Sequence, residues 1–495
     1  MIKSITSLIL VFKNSILKIS RNVIWLLGLN VFIAICQFSA YAIISRSLGK
    51  EYLGVWALVI ATTTIGQISS FGFSSGLVRY IPELVVNNRK SELSKMVSTV
   101  NFSNLIISLP VLFILFFPAK MYAQHLLNTS DYHVFEQSIV WVMIGMFINN
   151  LFSVYSAIFD GFQKFYTRCI IQISGWIIFL IGIIMLIPSF GLQGVAIAFL
   201  LQSIWQLFSS VIILIQQRII KNPFSIYFDK KSFKLISSFG IKSQSISILV
   251  IFFDPVIKYF ITKNLGLTAT ANFELSNKIV LQTRNLLASA NQVLIPKFVL
   301  HRKTNTHEPY FEKVMKRNLV ISITLGVFIC LISPFINLFL LNRFDKDLMV
   351  CMILINFGWV CNMITSVHYN ASIGLDKLNK LIIVHLIYAV TAIVGYLLLQ
   401  QFSHLKTLFY FAPALSLFLG SLYNSFSLSK VLPSSTSWLK SDLFLFFILM
   451  SIAIILIPFS SITKAILIVS LFSIIYCIII WVKHGKDYFK RISIR

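Results

Sequence analysis

Six charged side chains interrupt runs of sequence that are otherwise strongly apolar. Lys242, Asp254 and Lys258 fall in the run 236–261, and Glu274, Lys278 and Arg284 fall in 271–296. A charge at the centre of a helix surrounded by hydrocarbon costs roughly 2.5–3.5 kcal/mol on the insertion scale, so such residues face a partner or a polar cavity. Arg284 lies well inside its run, where snorkelling to an interface is difficult. A guanidinium is always charged, and its planar fork of donors suits phosphate oxygens. Asn277 and Asn291 lie about two turns before and after Arg284, on the same stripe. Gln282, Thr283, Asn285 and Gln292 add enough polarity for the run to line water or ligand rather than lipid. In the preceding run Ser243, Ser247, Asp254 and Lys258 share a stripe, and Pro255 removes a backbone hydrogen bond beside them, which permits a kink.

The residue types therefore point to an anion-binding cavity lined by Arg284, Lys278, Lys258, Lys242, Asn277 and Asn291. Asp254 and Glu274 are candidates for holding a coupling proton or sodium ion, because an acid in a low-dielectric cavity gains proton affinity and changes partner with conformation. The spacing also allows a plainer outcome. Asp254/Lys258 and Glu274/Lys278 are i,i+4 pairs, which neutralise each other on one helix face. Lys242 and Lys258 lie near the ends of their run and are placed to snorkel. Arg46 and Arg79, next to helix ends, read as interfacial anchors with a lesser prospect of touching a ligand.

The elements that must position these residues are membrane-spanning helices. Of 495 residues, 57% are hydrophobic and 12% charged. About fourteen apolar runs of ~17–26 residues are long enough to cross a hydrocarbon core about 30 Å thick. They lack the alternation of a membrane barrel. The net charge of +26 is a topology signal rather than a nucleic-acid footprint. Of 42 Lys and Arg, 30 lie on the N-terminus, the even-numbered connections and the C-terminus, and 8 on the odd-numbered connections. That bias predicts both termini in the cytoplasm, with part of the basicity free to hold anionic lipid headgroups. The first span is too long for a signal-peptide core, so no cleavable leader is expected. Before it, segment 1–21 carries Ile and Phe at helical spacing among Lys and Arg. It reads either as an amphipathic helix lying on the inner membrane face or as a disordered basic tail.

Metal and disulfide chemistry have no support in the spacing. The cysteines at 36, 169, 330, 351, 361 and 477 form no CxxC pair and read as small apolar residues. His368 and His385 lack ligand spacing and read as packing or hydrogen-bonding groups. Asp345-Lys346-Asp347 is a DxD suited in principle to a metal and a sugar phosphate, as in a membrane glycosyltransferase or polymerase. It stands in a very short connection with no second acidic cluster, so the chain is not expected to be an enzyme or to carry a cofactor.

Three pairs of short matches recur at nearly the same offset. Arg46-Ser47-Leu48-Gly49 answers Lys263-Asn264-Leu265-Gly266, Gly161-Phe162-Gln163-Lys164-Phe165 answers Gly374-Leu375-Asp376-Lys377-Leu378, and Ile81-Pro82 answers Ile295-Pro296. Two parallel six-helix repeats are a transporter architecture with the substrate site between them. The expected organisation is a basic segment at 1–21, a six-helix lobe at 22–217 and a cytoplasmic linker at 218–235. A second six-helix lobe follows at 236–430, then two accessory helices and a basic tail at 431–495.

The stretch Arg46-Ser-Leu-Gly-Lys-Glu-Tyr-Leu-Gly54 resembles the polysaccharide exporters of the multidrug/oligosaccharidyl-lipid/polysaccharide flippase superfamily. So do Gly76-Leu-Val-Arg79-Tyr80-Ile-Pro-Glu83, Gly161-Phe-Gln-Lys164-Phe and Gly191-Leu-Gln-Gly194-Val-Ala196. The second half departs from the pattern, with His404-Leu-Lys-Thr-Leu-Phe where another Gly-x-x-Gly is expected. The resemblance implies an all-α, V-shaped fold of two six-helix bundles that rock between inward and outward access. It implies a flippase of the Wzx O-antigen type for a polyprenyl-pyrophosphate-linked glycan bound for O-antigen, capsule or exopolysaccharide. It also implies residence in the bacterial inner membrane, and polymerase and chain-length proteins as partners alongside membrane lipids. O-antigen flippases of this kind usually have twelve helices and lipid II flippases fourteen, which leaves the subfamily open. The superfamily's drug/cation antiporters are the alternative, although a cationic drug calls for an acid-dominated cavity and here cations outnumber acids.

Overall fold

The computed structural model describes residues 25, 28–66, 72–86, 89–217, 227–291, 294, 298, 307–341, 344–375, 377–400, 406–456, 461, 463–468, 470–472 and 474–476. The segment 1–21, the tail beyond Tyr476 and the first half of the linker 218–235 lie outside them. Among the described residues every regular element is helical. The chain divides into two compact units, Met1–Ile251 and Phe252–Arg495.

The first unit holds α1 (Gly28–Ser47), α2 (Lys50–Gly66), α3 (Phe73–Val86), α4 (Lys90–Leu126), α5 (Thr129–Gly161) and α6 (Phe165–Gln216). Its core gathers Phe73, Leu77, Ile81, Val97, Val100, Phe152, Ile158 and Phe159 where α3, α4 and α5 meet. The apolar run 54–76 is expected to form one helix. Instead Gly72 sits at φ +68°, a left-handed conformation open mainly to glycine, and α3 starts afresh from it. The runs 169–187 and 194–215 form the two helical arms of α6, which meet at a kink at the non-helical Gly191, φ +54°. Gly194 permits the close approach there, because a Cβ on it would fall 2.6 Å from the Leu186 carbonyl oxygen.

α7 (Lys230–Leu265) runs across the boundary between the units. The second unit continues with α8 (Leu267–Asn291), α9 (His307–Leu341), α10 (Lys346–Ile364), α11 (Ser366–Gly374), α12 (Leu378–Leu399), α13 (Lys406–Leu428) and α14 (Asp442–Leu456), then the apolar helix α15 (Thr463–Tyr476). A 3-10 segment, Pro433–Lys440, joins α13 to α14. α10 is the central element, buried along most of its length and packed against α8, α9 and α13. The run 348–373 is broken at Thr365 into α10 and α11. Asn318 Nδ2 bonds the freed Met363 and Ile364 carbonyls at 3.0 and 2.9 Å, and Asn424 reaches the Thr365 carbonyl at 3.4 Å. Those bonds let a helix break survive in apolar surroundings.

Among the described residues, seven helices are individually long and apolar enough to cross a bilayer, or eight when Pro433–Lys440 and Asp442–Ile452, bent by 44°, count as one span. α8 is not among them, because its charged and amide side chains lower its hydropathy. The sequence repeat has a structural counterpart in its turns. Gly49 and Gly266 are both left-handed, at φ +98° and +84°, and each separates one helix from the next. After α5 and after α11 the same helix-closing bond forms, from Lys164 N to Phe159 O and from Lys377 N to Ser372 O, each at 2.7 Å.

Candidate functional site

The polar residues of the α7–α8 hairpin converge inside the second unit. The left-handed Gly266 turns the chain from α7 directly into α8, which brings Asp254 and Lys258 against Glu274, Asn277 and Lys278. Lys258 Nζ lies 2.6 Å from Asp254 Oδ2 and 2.8 Å from Glu274 Oε2. Lys278 Nζ stands off at 3.8 Å from Glu274 Oε1. Lys258 and Glu274 are 0% exposed, whereas Asp254 and Lys278 keep 24% and 25%. Lys258 is therefore not a snorkelling residue at an interface. It is the buried counter-ion of two carboxylates on two helices. With Lys278 included, two acids and two lysines cancel.

Among the described side chains of this set, Arg284 carries the remaining charge. Its Nε donates to Asn362 Oδ1 at 3.2 Å, one terminal nitrogen donates to Asn285 Oδ1 at 3.2 Å, and the guanidinium lies 5.8 Å from the centre of the Trp359 ring. Among the described residues it pairs with no carboxylate. Its partners are neutral amides and a π-face, which orient the cation without consuming its charge.

Asn277 connects the two groups. Its Nδ2 donates to Asp254 Oδ1 at 3.2 Å and its Oδ1 accepts the Trp359 indole N–H at 2.8 Å. Asn362 in turn donates to the Tyr388 hydroxyl at 2.9 Å. Asn291 lies apart, where its Nδ2 reaches Asn318 Oδ1 at 2.8 Å and Ser366 Oγ at 2.7 Å, next to the break between α10 and α11. The backbone of Lys242 belongs to α7, but its side chain lies outside the described residues, as does that of Arg79 in α3. Arg46 is exposed at the end of α1 in the first unit.

Two residues of this site, Trp359 and Asn362, carried no signal strong enough for sequence reasoning to single them out. The available trace was Asn356, Trp359 and Asn362 recurring every third residue in an apolar run, which places them on one face of α10. The DxD at 345–347 proves to be a helix start. Asp345 Oδ1 accepts from Leu348 N at 3.0 Å, and Asn337 holds its backbone from both sides. Among the described residues no group of three or more His, Cys, Asp or Glu side chains could hold a metal. His368 bonds the Ser435 carbonyl at 2.7 Å, which pins the 3-10 segment to α11.

A family model described as "Polysaccharide biosynthesis protein" matches residues 19–302. No curated protein sequence matches the chain. Among solved structures, a lipid II flippase, MurJ, in an inward closed conformation is similar at a TM-score of 0.69 and 18% identity, over 92% of this chain and 98% of that one. An inward-facing multidrug-resistance MATE transporter of the MOP superfamily reaches 0.62 at 16% identity, over 83% and 96%. A MATE transporter of Vibrio cholerae reaches 0.59 at 12%, over 86% and 98%. At these identities the likeness is one of fold.

Proposed function

Since the chain belongs to the polysaccharide biosynthesis protein family, with the fold of a MOP-superfamily flippase, we propose that it moves a polyprenyl-pyrophosphate-linked saccharide across the bacterial cytoplasmic membrane by alternating access. The observation that carries this reading is Arg284, a cation oriented by neutral groups and left without a carboxylate beside a charge-balanced cluster. An arrangement of that kind favours an anion with several oxygens, and a pyrophosphate headgroup supplies one. Lys278, a quarter exposed and loosely held, is the second cation free to approach it. The lipid tail stays in the bilayer. The substrate belongs to an O-antigen, capsule or exopolysaccharide pathway, whose polymerase and chain-length proteins are the partners. The surplus positive charge argues against cationic drugs as cargo. Both termini lie in the cytoplasm on this reading, as the basic connections require.

The direct test is removal of the gene. Lipid-linked saccharide should accumulate on the cytoplasmic leaflet, and the purified chain in vesicles should restore its movement. Unimpaired polymer export in the deletion strain would end the proposal.

A further inference from the structure

We infer that Tyr388 and Gly420 are positioning residues for Arg284. They lock Asn362 against the Arg284 Nε and leave the outer edge of the guanidinium, between its two terminal nitrogens, to meet a phosphate. This deepens the function proposed above and rests on it. The observation behind it is a set of contacts from four helices of the second unit. Arg284 Nε on α8 donates to Asn362 Oδ1 on α10 at 3.2 Å, Asn362 Nδ2 donates to the Tyr388 hydroxyl on α12 at 2.9 Å, and the Tyr388 ring lies against Gly420 on α13.

Donor and acceptor chemistry fixes the order of these contacts. A guanidinium only donates, so Asn362 must turn its carbonyl oxygen to Arg284, and its NH2 group points away. A rotated amide would set N–H groups against a cation. The Tyr388 hydroxyl oxygen accepts from the NH2 group and holds the amide in the orientation that suits Arg284. The ring behind that hydroxyl has little room to move. Tyr388 is 7% exposed, packs with Val384, Leu417 and Phe253, and fills the space a side chain at position 420 would take. A Cβ on Gly420 would fall 2.1 Å from Tyr388 Cε1 and 2.4 Å from Cδ1, so the tyrosine stands where it does because this residue is glycine.

Counting donors gives the consequence for a ligand. A guanidinium has five N–H groups, one on Nε and two on each terminal nitrogen. Asn362 takes the single Nε hydrogen, which closes side-on pairing through that nitrogen. Asn285 takes one hydrogen of a terminal nitrogen. Among the described residues the other three meet no acceptor, and all three belong to the terminal nitrogens. A phosphate with paired oxygens therefore meets Arg284 end-on. Asn362 is neutral, so the lock aims the charge without cancelling it.

The test uses the full chain in lipid nanodiscs with farnesyl pyrophosphate as probe. Tyr388→Phe keeps the ring and removes the hydroxyl. It should weaken binding about three- to tenfold, the net worth of one hydrogen bond. Asn362→Ala should weaken it at least as much, and Tyr388→Phe should then have no further effect. A tyrosine that only supported the fold would lower affinity by the same factor in both backgrounds. Gly420→Ala should reproduce the Tyr388→Phe loss and add nothing to it in the double variant. Wild-type affinity in Tyr388→Phe, or losses that multiply when Tyr388→Phe and Asn362→Ala are combined, would overturn the lock. A Gly420→Ala protein that binds like wild type would remove Gly420 from it, and if that variant does not accumulate, the Tyr388 and Asn362 pair decides. A wild-type protein that ignores the probe, or binds it equally well as Arg284→Ala, would instead remove the function on which the lock rests.

Discussion

α2 and α8 begin in the same way. Each follows directly on a left-handed glycine, Gly49 or Gly266, and each is the first helix after a turn of matching sequence. Their contents differ. α2 buries Leu53, Val55, Trp56, Ala57, Leu58 and Val59, all at 0–2% exposure. α8 buries Thr270, Asn272, Glu274, Ser276 and Asn277. The fold evidently makes an apolar helix at this place when nothing else is asked of it. The polarity of α8 is therefore not a requirement of the architecture, and its cost points to work done by the second unit. Described ion pairs of the first unit join one acid to one base, as in Arg168 with Asp160 and Lys120 with Glu136. Among the described residues of the second unit, Lys258 serves two acids and Arg284 pairs with no carboxylate.

The sharpest way to break that comparison is to remove the unbalanced charge. Arg284→Ala should abolish saccharide movement, by at least about a hundredfold, while the protein accumulates normally in the membrane, because no carboxylate is left behind. Arg284→Lys should recover part of the activity, since it keeps the charge and loses the fork. A well-expressed Arg284→Ala protein with full polymer export would take Arg284 out of the substrate path.

Lys258 should behave in the opposite manner. Lys258→Met strands two carboxylates, and breaking a buried pair in this way costs about 3–5 kcal/mol. The expected result is loss of protein, measured as membrane-fraction abundance and thermal aggregation. Lys258→Met with Glu274→Gln should recover much of it. Stable Lys258→Met protein with lowered substrate affinity would instead place this lysine among the substrate-binding cations.

The difference between these two cations marks how far the sequence could be read. The charged hairpin, its polar α8 face and the mid-run position of Arg284 were all legible, because charges stand out in an apolar run. The left-handed turns at Gly49, Gly191 and Gly266 were visible as short glycine-containing motifs. The pairing of Lys258 with Glu274 was not, since helical spacing supplies Asp254 as a partner and says nothing about a residue across the turn. Trp359 was hidden for a related reason. A tryptophan in an apolar run looks like packing until its N–H has an acceptor on another helix. The break at Gly72 was missed because apolar residues continue on both sides of it.

The two glycines offer a matched pair. Neither has a heavy atom within 4 Å of where a Cβ would stand, so alanine meets no clash and pays only for its backbone conformation. That cost is about 1–2 kcal/mol at a left-handed position. Gly49→Ala and Gly266→Ala should therefore destabilise the protein about equally. Transport should suffer more from Gly266→Ala, because that turn sets α7 against α8. Equal losses of transport would mean that α8 is not the functional helix of the pair.

The smallest effect is expected at the start of the hairpin, away from the site. Asp229 precedes α7 and its Oδ2 accepts from Ser232 N at 2.8 Å and Ser232 Oγ at 2.6 Å. These bonds hold its carboxyl below the ordinary carboxylate range. A carboxyl depressed on folding stabilises the folded state above its unfolded pKa of about 4, and the contribution disappears as pH falls through the lower folded value. Acid below about pH 4 should thus fray the first turn of α7, seen as faster amide exchange at Ser232 and Phe233. Asp229→Ala should give the same fraying at neutral pH and remove the acid step, while Asp229→Asn, still a capping residue, should retain most of the protection. Neither should alter exchange in α8 around Arg284. Loosening of α8 on Asp229→Ala would show that the polar helix depends on where its hairpin starts, and the contrast with α2 would then reflect the support given to the helix as well as its side chains.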